Sequence, residues 1–293
     1  LAKLIVGCGY LGKRVLQLWQ TAGEKVYATT RSTERAAEWS RNGVVPLVAD
    51  ITQPIAADVP SDIDTVLFAV GFDAKAGHSI HEVYVDGLAR VIDWLPASIR
   101  RFIYISSTGV YGSFAGEWID EESPCEPLRE GGKACLAAEQ RLAASKFAAQ
   151  SVALRLAGIY GPDRIPRAKD LLAGQMIDAA PGGYLNLIHV MDAARIVLLA
   201  EQRPTSSRLL VADGHPVIRG EYYAELARLL QAPPPNFVQS PGESAVAKRG
   251  SADKRVNNSR LMKELAPQFQ FPDYRAGLAD AVEHWKQSDA ANL

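Results

Sequence analysis

Along the first 160 residues, short apolar runs rich in β-branched side chains alternate with stretches whose apolar positions recur at helical spacing. Leu4-Ile5-Val6 breaks into Gly7-Cys8-Gly9, and the apolar pattern resumes at Val15, Leu16 and Trp19 as one face of a helix. Further strands are predicted at Lys25–Thr30, 44–50, 65–71, 101–106 and Ser151–Leu156. Between them the spacing predicts a polar helix over Thr33–Arg41, a longer one over 82–95 with Val85, Leu88, Ile92 and Leu95 on one side, and an alanine-rich helix over 134–149. Strands that alternate with helices in this way pair as a parallel sheet covered on both faces. Past Gly161-Pro162 the pattern loosens. Strands are predicted at 186–189 and Arg208–Val211, helices at 191–202 and 221–230, and a turn or linker at Pro233-Pro234-Pro235.

Composition narrows the class without naming a chemistry. A chain of 293 residues can bury a full core as one large or two intimate domains. With 32 basic against 33 acidic residues, there is no electrostatic case for a nucleic acid or an anionic membrane as partner. No apolar stretch approaches the roughly 18 residues of a spanning helix, and no charged-then-apolar leader is evident. The expectation is a cytoplasmic protein with no membrane partner. Cys8, Cys125 and Cys135 are scattered, and His78 and His81 have no cysteine nearby, so neither a disulfide framework nor a metal site is expected.

The glycine turn changes the picture. In a dinucleotide fingerprint Gly7 makes the tight turn, Gly9 lets the backbone approach a pyrophosphate, and Gly12 allows close helix-to-strand packing. Tyr10 and Leu11 open the helix whose exposed N–H groups and positive dipole end offer an anion site. The alternative is a structural glycine-rich turn in another α/β protein. The fingerprint predicts a Rossmann-type doubly wound parallel sheet, with a dinucleotide-binding core over 1–160. Residues 161–293 then form a mixed region that completes the core and makes a small C-terminal substrate part. At the end of the second strand, where an acidic residue would accept from the ribose 2′-OH of NAD, the chain has Thr30-Arg31-Ser32. The Arg31 guanidinium and Ser32 hydroxyl suit a 2′-phosphate, so NADP is expected in preference to NAD; a solvated surface arginine is the alternative. The fifth strand ends in Ser106-Ser107-Thr108-Gly109-Val110-Tyr111-Gly112, hydroxyls that should face the reactive end of the cofactor unless they only form a turn.

Together with Asp50-Ile51, Leu154-Arg155-Leu156-Ala157-Gly158-Ile159-Tyr160-Gly161-Pro162 and Ile188-His189-Val190-Met191-Asp192, these segments resemble the extended short-chain dehydrogenase/reductases of the NAD-dependent epimerase/dehydratase branch almost end to end. The resemblance implies that Asp50 and Ile51 lie against the adenine and that Ala69, Val70 and Gly71 run along the cofactor. It also implies that Ser107 is the catalytic serine and that the helices at 82–95 and 134–149 could form a homodimer face. The family's Tyr-x-x-x-Lys pair falls on Gly131 and Cys135, so both functional groups are missing. None of the ten tyrosines has lysine four residues later. Lys133 is two residues off, roughly 200° around a helix, and should point away. The family's Asn-x-x-Gly-Thr also departs, reading Tyr84-Val85-Asp86-Gly87-Leu88.

Tyr111, Tyr160, Lys133 or a histidine could replace the acid/base from another direction; Tyr111, which follows the same strand as Ser107, is preferred, with a packed tyrosine as its alternative. Cys135 reads as a thiol nucleophile or as a small buried apolar residue. His189 and Asp192 read as a capped helix start. Lys248-Arg249, Lys254-Arg255 and Arg260 make the densest basic cluster, able to hold a substrate phosphate such as that of a nucleotide sugar, or else to form a solvated loop. The expectation is an NADP(H)-dependent oxidoreductase or epimerase on a sugar-like or carbonyl substrate, with a displaced acid/base group. A non-catalytic NADP(H)-binding sensor or scaffold is the alternative.

Overall fold

The computed structural model describes residues 1–238 and 253–290. Among these the strands are β1 (Ala2–Val6), β2 (Lys25–Thr30), β3 (Val45–Val48), β4 (Ile63–Phe68), β5 (Arg101–Ser107), β6 (Trp118–Ile119), β7 (Ser151–Leu156), β8 (Gly158–Tyr160), β9 (Tyr184–Leu185), β10 (Leu187–His189), β11 (Arg208–Val211), β12 (Val217–Ile218) and β13 (Arg255–Val256). Seven of them form one parallel sheet in the order β11-β7-β5-β4-β1-β2-β3. From β1 the chain builds outward through β2 to β3, then returns across β1 to lay down β4, β5, β7 and β11 on the other side. The reversal leaves a crevice at the carboxyl ends of β1 and β4, where open α/β sheets bind ligands. The fold is a Rossmann-type α/β sheet, as the alternating pattern predicts.

Helices α1 (Tyr10–Thr21) and α6 (Val190–Gln202) cover one face, placing Val15, Trp19, Ile196 and Val197 against Ile5, Leu67 and Leu154. Helices α3 (Gly87–Trp94) and α4 (Glu130–Ala143) cover the other, where Leu88, Val91, Ala138 and Leu142 meet Leu4, Val66 and Phe102. Both faces of β1 are therefore buried, which accounts for its apolar run Leu4-Ile5-Val6, and the buried Lys3 within the strand is paired with Asp64 and Glu201. A third core joins α5 (Ala168–Leu172), α7 (Arg219–Leu230) and the helix Tyr274–Ala290 through Leu171, Tyr222, Leu226, Tyr274 and Leu278.

Several elements depart from the periodicity. The stretch 82–95 is split: a π-helical turn over Glu82–Asp86 precedes α3, and its extra residue rotates the stripe. Val83 and Val91 join Leu88 and Ile92 in the core, and Val85 is only partly buried. Helix α4 begins at Glu130 rather than 134 and stops at Ala143. The Ser145 hydroxyl then accepts from the Phe147 amide at 3.1 Å, and Phe147 sinks into the core. The helices Ser259–Leu265 and Tyr274–Ala290 and the pair β8·β10 were not anticipated. Among the described residues no helix is long and apolar enough to cross a membrane.

Candidate active site

At the first turn each glycine meets a different surrounding. Gly7 sits at φ +90°, and a Cβ there would lie 2.6 Å from the backbone N and Cα of Val70 on the neighbouring strand's continuation. A Cβ on Gly12 would lie 2.7 Å from the Gly7 carbonyl oxygen, so α1 leaves its strand with no room for a side chain. At Gly9 nothing lies within 4 Å, and its backbone faces a cleft of about 290 Å³ lined also by Gly7, Cys8, Ile51, Val70 and Gly71. Gly9 is the N-cap of α1; no side chain caps that end and no acidic residue occupies its first turn. The helix therefore presents its first amides to the cleft without a protein acceptor, a fit for a pyrophosphate. Tyr10 and Leu11 open α1 with their side chains directed elsewhere. Leu11 is in the core, and the Tyr10 ring has the Arg14 and Arg164 guanidinia 4.3 and 5.5 Å from its centroid. Ala69 extends the sheet, its amide donating to Val6 O at 2.8 Å.

Arg31 lines the same cleft, and so does Arg35, which the sequence reading passed over although it stands one helical turn further on. Ser32 does not: its hydroxyl caps α2 (Thr33–Arg41), accepting from the Arg35 amide at 3.1 Å and donating to Glu34 at 2.7 Å. Two guanidinia therefore stand beyond the end of β2, with Thr30 also lining the cleft. Asp50 accepts from the Thr52 amide (2.9 Å) and hydroxyl (2.7 Å). Burial works against its charge, but these donors, Arg31 and His78 outweigh it and hold the carboxyl below its usual range.

A second cleft, about 440 Å³, adjoins the first, with Val70 common to both. Ser107 lines it from the end of β5, its oxygen accepting from the Gly109 amide at 3.0 Å, which leaves the hydroxyl proton to donate. Gly132 of α4 presses on this loop so closely that a Cβ would fall on the Gly109 carbonyl oxygen. Gly131, at the family's tyrosine position, has open surroundings, its nearest neighbour being Ile80 Cδ1 at 3.5 Å. Cys135 reaches the cleft wall as a buried thiol that burial pushes up to about 11, which disfavours its thiolate. Lys133 is exposed and paired with Glu130 at 2.8 Å.

Tyr111 is not brought to the cleft. It is buried in the core, its hydroxyl accepts from Arg155 Nη1 at 2.6 Å, and burial pushes the phenol up to about 12 despite that cation. Arg155, itself buried, also pairs with Glu139 at 2.6 Å, and Ser106 donates to the same carboxylate at 2.5 Å. Tyr111 thus belongs to a sealed network joining β5, β7 and α4.

What faces Ser107 instead is positive. Arg129, Arg164, Arg219 and Lys254 line the second cleft, and no aspartate or glutamate is among its described lining residues. They come from four separate segments, so no local motif announced them. The predicted basic cluster disperses. Arg255 donates to Gly116 O at 2.6 Å and lies over Trp118 and Tyr184, while Arg260 pairs with Glu122 at 3.0 Å. Lys254 alone of the described members turns inward, and Lys248 and Arg249 lie outside the described residues. His189 does cap α6, accepting from the Met191 amide at 3.4 Å, whereas the Asp192 carboxylate holds the Gln270 and Phe271 amides at 2.8 and 2.9 Å. Among the described residues no group of three or more His, Cys, Asp or Glu side chains could hold a metal ion.

The comparisons agree with this architecture. A conserved protein of unknown function from Silicibacter pomeroyi DSS superposes with a TM-score of 0.79 at 28% identity, covering 98% of both chains. A protein from Methylobacillus flagellatus, described provisionally as an NAD-dependent epimerase/dehydratase, gives 0.75 at 27%, covering 97% of this chain and 98% of its own. The Bordetella bronchiseptica enzyme WbmG, in complex with NAD and UDP, shares the fold with a TM-score of 0.77 at 19% identity over 98% of this chain and 95% of its own. No curated protein matches the chain. The model of the NAD dependent epimerase/dehydratase family matches residues 4–210, well over half of the sequence, and the chain belongs to that family.

Proposed function

We propose that this chain is an NADP(H)-dependent oxidoreductase or epimerase acting at a carbonyl or carbinol of an anionic, nucleotide-sugar-like substrate. The observation that carries the reading is the meeting of two clefts at Val70: one framed by uncapped amides and two arginines, the other by Ser107 beside four cations and, among the described residues, no carboxylate. The dinucleotide, when bound, supplies or takes up a hydride. The chain's own parts do the rest. The first amides of α1 hold the pyrophosphate, and Arg31 and Arg35 hold a 2′-phosphate, a charge-assisted contact that a lone ribose hydroxyl cannot match. Ser107 donates to the substrate oxygen. A cleft with four cations draws in a di-anion and gives no comparable attraction to a neutral sugar. The UDP seen with WbmG belongs to that chemical class.

Fluorescence titration tests the cofactor choice: NADPH should bind at least about tenfold more tightly than NADH, about 1.4 kcal/mol, and Arg31→Ala with Arg35→Ala should erase the difference. Equal affinities that ignore both substitutions refute the NADP reading. Calorimetry with UDP-glucose should show saturable binding that Arg219→Met weakens, and its absence refutes the substrate class.

A further inference from the structure

The family's tyrosine and lysine are absent from α4, yet an ionisable group from a distant segment lines the second cleft with Ser107. Lys254 lies 147 positions after Ser107 in the chain, and its backbone is fixed by a clamp. Asn186 Nδ2 donates to Lys254 O at 2.9 Å, and Asn186 Oδ1 accepts from the Val256 amide at 2.7 Å. The side chain is 5% exposed, and its ammonium donates to the carbonyls of Gly112 (3.2 Å) and Tyr111 (3.5 Å), which close the loop that begins at Ser107. Two of its three N–H groups are thereby used, and the residue lines the cleft. No carboxylate among the described residues pairs with it; the carboxylate of neighbouring Asp253 is held by the Tyr184 amide at 2.8 Å. Around it stand Arg129 from the start of α4, Arg219 from the start of α7, and Tyr184. Arg129, two residues before the empty tyrosine position, lines the same cleft as Lys254 and Ser107.

We propose that Lys254 is the proton-transfer residue of this active site, donating from its ammonium to the oxygen of a substrate carbonyl that Ser107 holds. The inference rests on the oxidoreductase reading above. In the reductive direction the carbonyl carbon receives a hydride with its electron pair from the reduced dinucleotide. The C=O π pair moves onto oxygen, the Lys254 N–H bond breaks and an O–H bond forms. The neutral amine left behind regains its proton from water, and the oxidative direction runs the same transfers in reverse. Burial, reinforced by Arg129 and opposed by Asp253, lowers this ammonium to about 8, close to the range in which a group can both give and take a proton near neutrality.

The experiment uses the full chain with NADPH and dTDP-4-keto-6-deoxyglucose as the ketone probe, and compares Lys254→Met and Lys254→Arg with the wild type. Dinucleotide affinity is measured first, because a wild-type chain that does not bind NADPH refutes the oxidoreductase reading itself. With binding intact in all three proteins, we expect kcat to fall at least about a hundredfold in both variants, since a positioned acid contributes about 10²–10⁴-fold. Arginine keeps the charge but holds its proton too firmly to give it up, so Lys254→Arg separates proton transfer from mere anion binding. A readout independent of turnover is the ¹³C-methyl resonance of reductively methylated Lys254, assigned by its disappearance in Lys254→Met, which should titrate well below the other lysines. A Lys254→Arg enzyme with wild-type kcat overturns the proposal. So does a Lys254 resonance that titrates with the surface lysines, or a wild-type chain that binds NADPH and the ketone but transfers no hydride.

Discussion

The same perturbation, one added side chain, should have opposite consequences at two glycines three residues apart. At Gly12 a Cβ would stand 2.7 Å from the Gly7 carbonyl oxygen and 3.3 Å from Ile5 Cγ2. Overpacking of this kind costs about 1–3 kcal/mol, and the helix-propensity gain of alanine over glycine returns about 1. Gly12→Ala should therefore lose up to about 2 kcal/mol net, or up to roughly 8 °C in Tm for a chain of this size. At Gly9 nothing lies within 4 Å, so Gly9→Val should leave the melting of the unliganded protein within about 0.5 kcal/mol of wild type. The valine would instead occupy the space a pyrophosphate needs in order to reach the uncapped amides. The assay is thermal melting with and without NADPH. Ligand at about a hundred times its Kd adds about 2.7 kcal/mol to the wild type, an upward shift that Gly12→Ala should retain from its lower starting point and Gly9→Val should lose entirely. A Gly9→Val protein that melts normally and still shows the full NADPH shift would place the dinucleotide elsewhere and refute the reasoning.

Tyr111→Phe should leave Arg155 Nη1 without its acceptor in a buried site, costing about 1–3 kcal/mol while kcat stays within about twofold; a loss of kcat near a hundredfold would show that the phenol reaches substrate. Within the first turn of α4, Gly131→Ala should be neutral or slightly stabilising, because only Ile80 Cδ1 at 3.5 Å is near, whereas Gly132→Ala should unseat the Ser107 loop and melt several degrees lower. Equal melting of the two would contradict the packing described. Asp213 is buried with Oδ1 on the His215 amide at 2.8 Å and Oδ2 unpartnered, and burial, reinforced by Asp273 and Asp192, raises it from 3.8 to about 7. Because the folded value lies above the unfolded one, its ionisation penalises the fold progressively as pH rises from about 4 to about 7. The stability of Asp213→Asn relative to wild type should therefore grow by on the order of 2–4 kcal/mol across that window, and a difference that is flat with pH would show that the carboxyl ionises normally.

The parts of the site legible in the sequence are those in which one short segment contains both the structural requirement and the chemistry. The glycine turn is of this kind, since the residues that bend the chain are those that expose its amides, and so is Ser107 at a strand end. Tyr111 reads in the sequence as a packed tyrosine or a cleft residue, and Arg155, 44 positions later and on another strand, reaches its hydroxyl and seals it in. Ser32 reads in the sequence as a cofactor contact, and the helix takes its hydroxyl as a cap. Interruptions mislead in the same way. The C-terminal helix carries a readable stripe in Tyr274, Leu278, Ala281 and Val282, but Gly277 breaks it, and the reason lies outside the helix: a Cβ there would fall on the Tyr160 hydroxyl. The cationic cleft is the extreme case. Lys254 is carried in by β13, two residues long, paired in parallel with β6, also two residues long, and strands that short have no periodicity to read. A catalytic pair on one helix is legible as a local motif, whereas a cleft lined by Ser107, Arg129, Arg164, Arg219 and Lys254 becomes visible only once the fold brings those separate segments together.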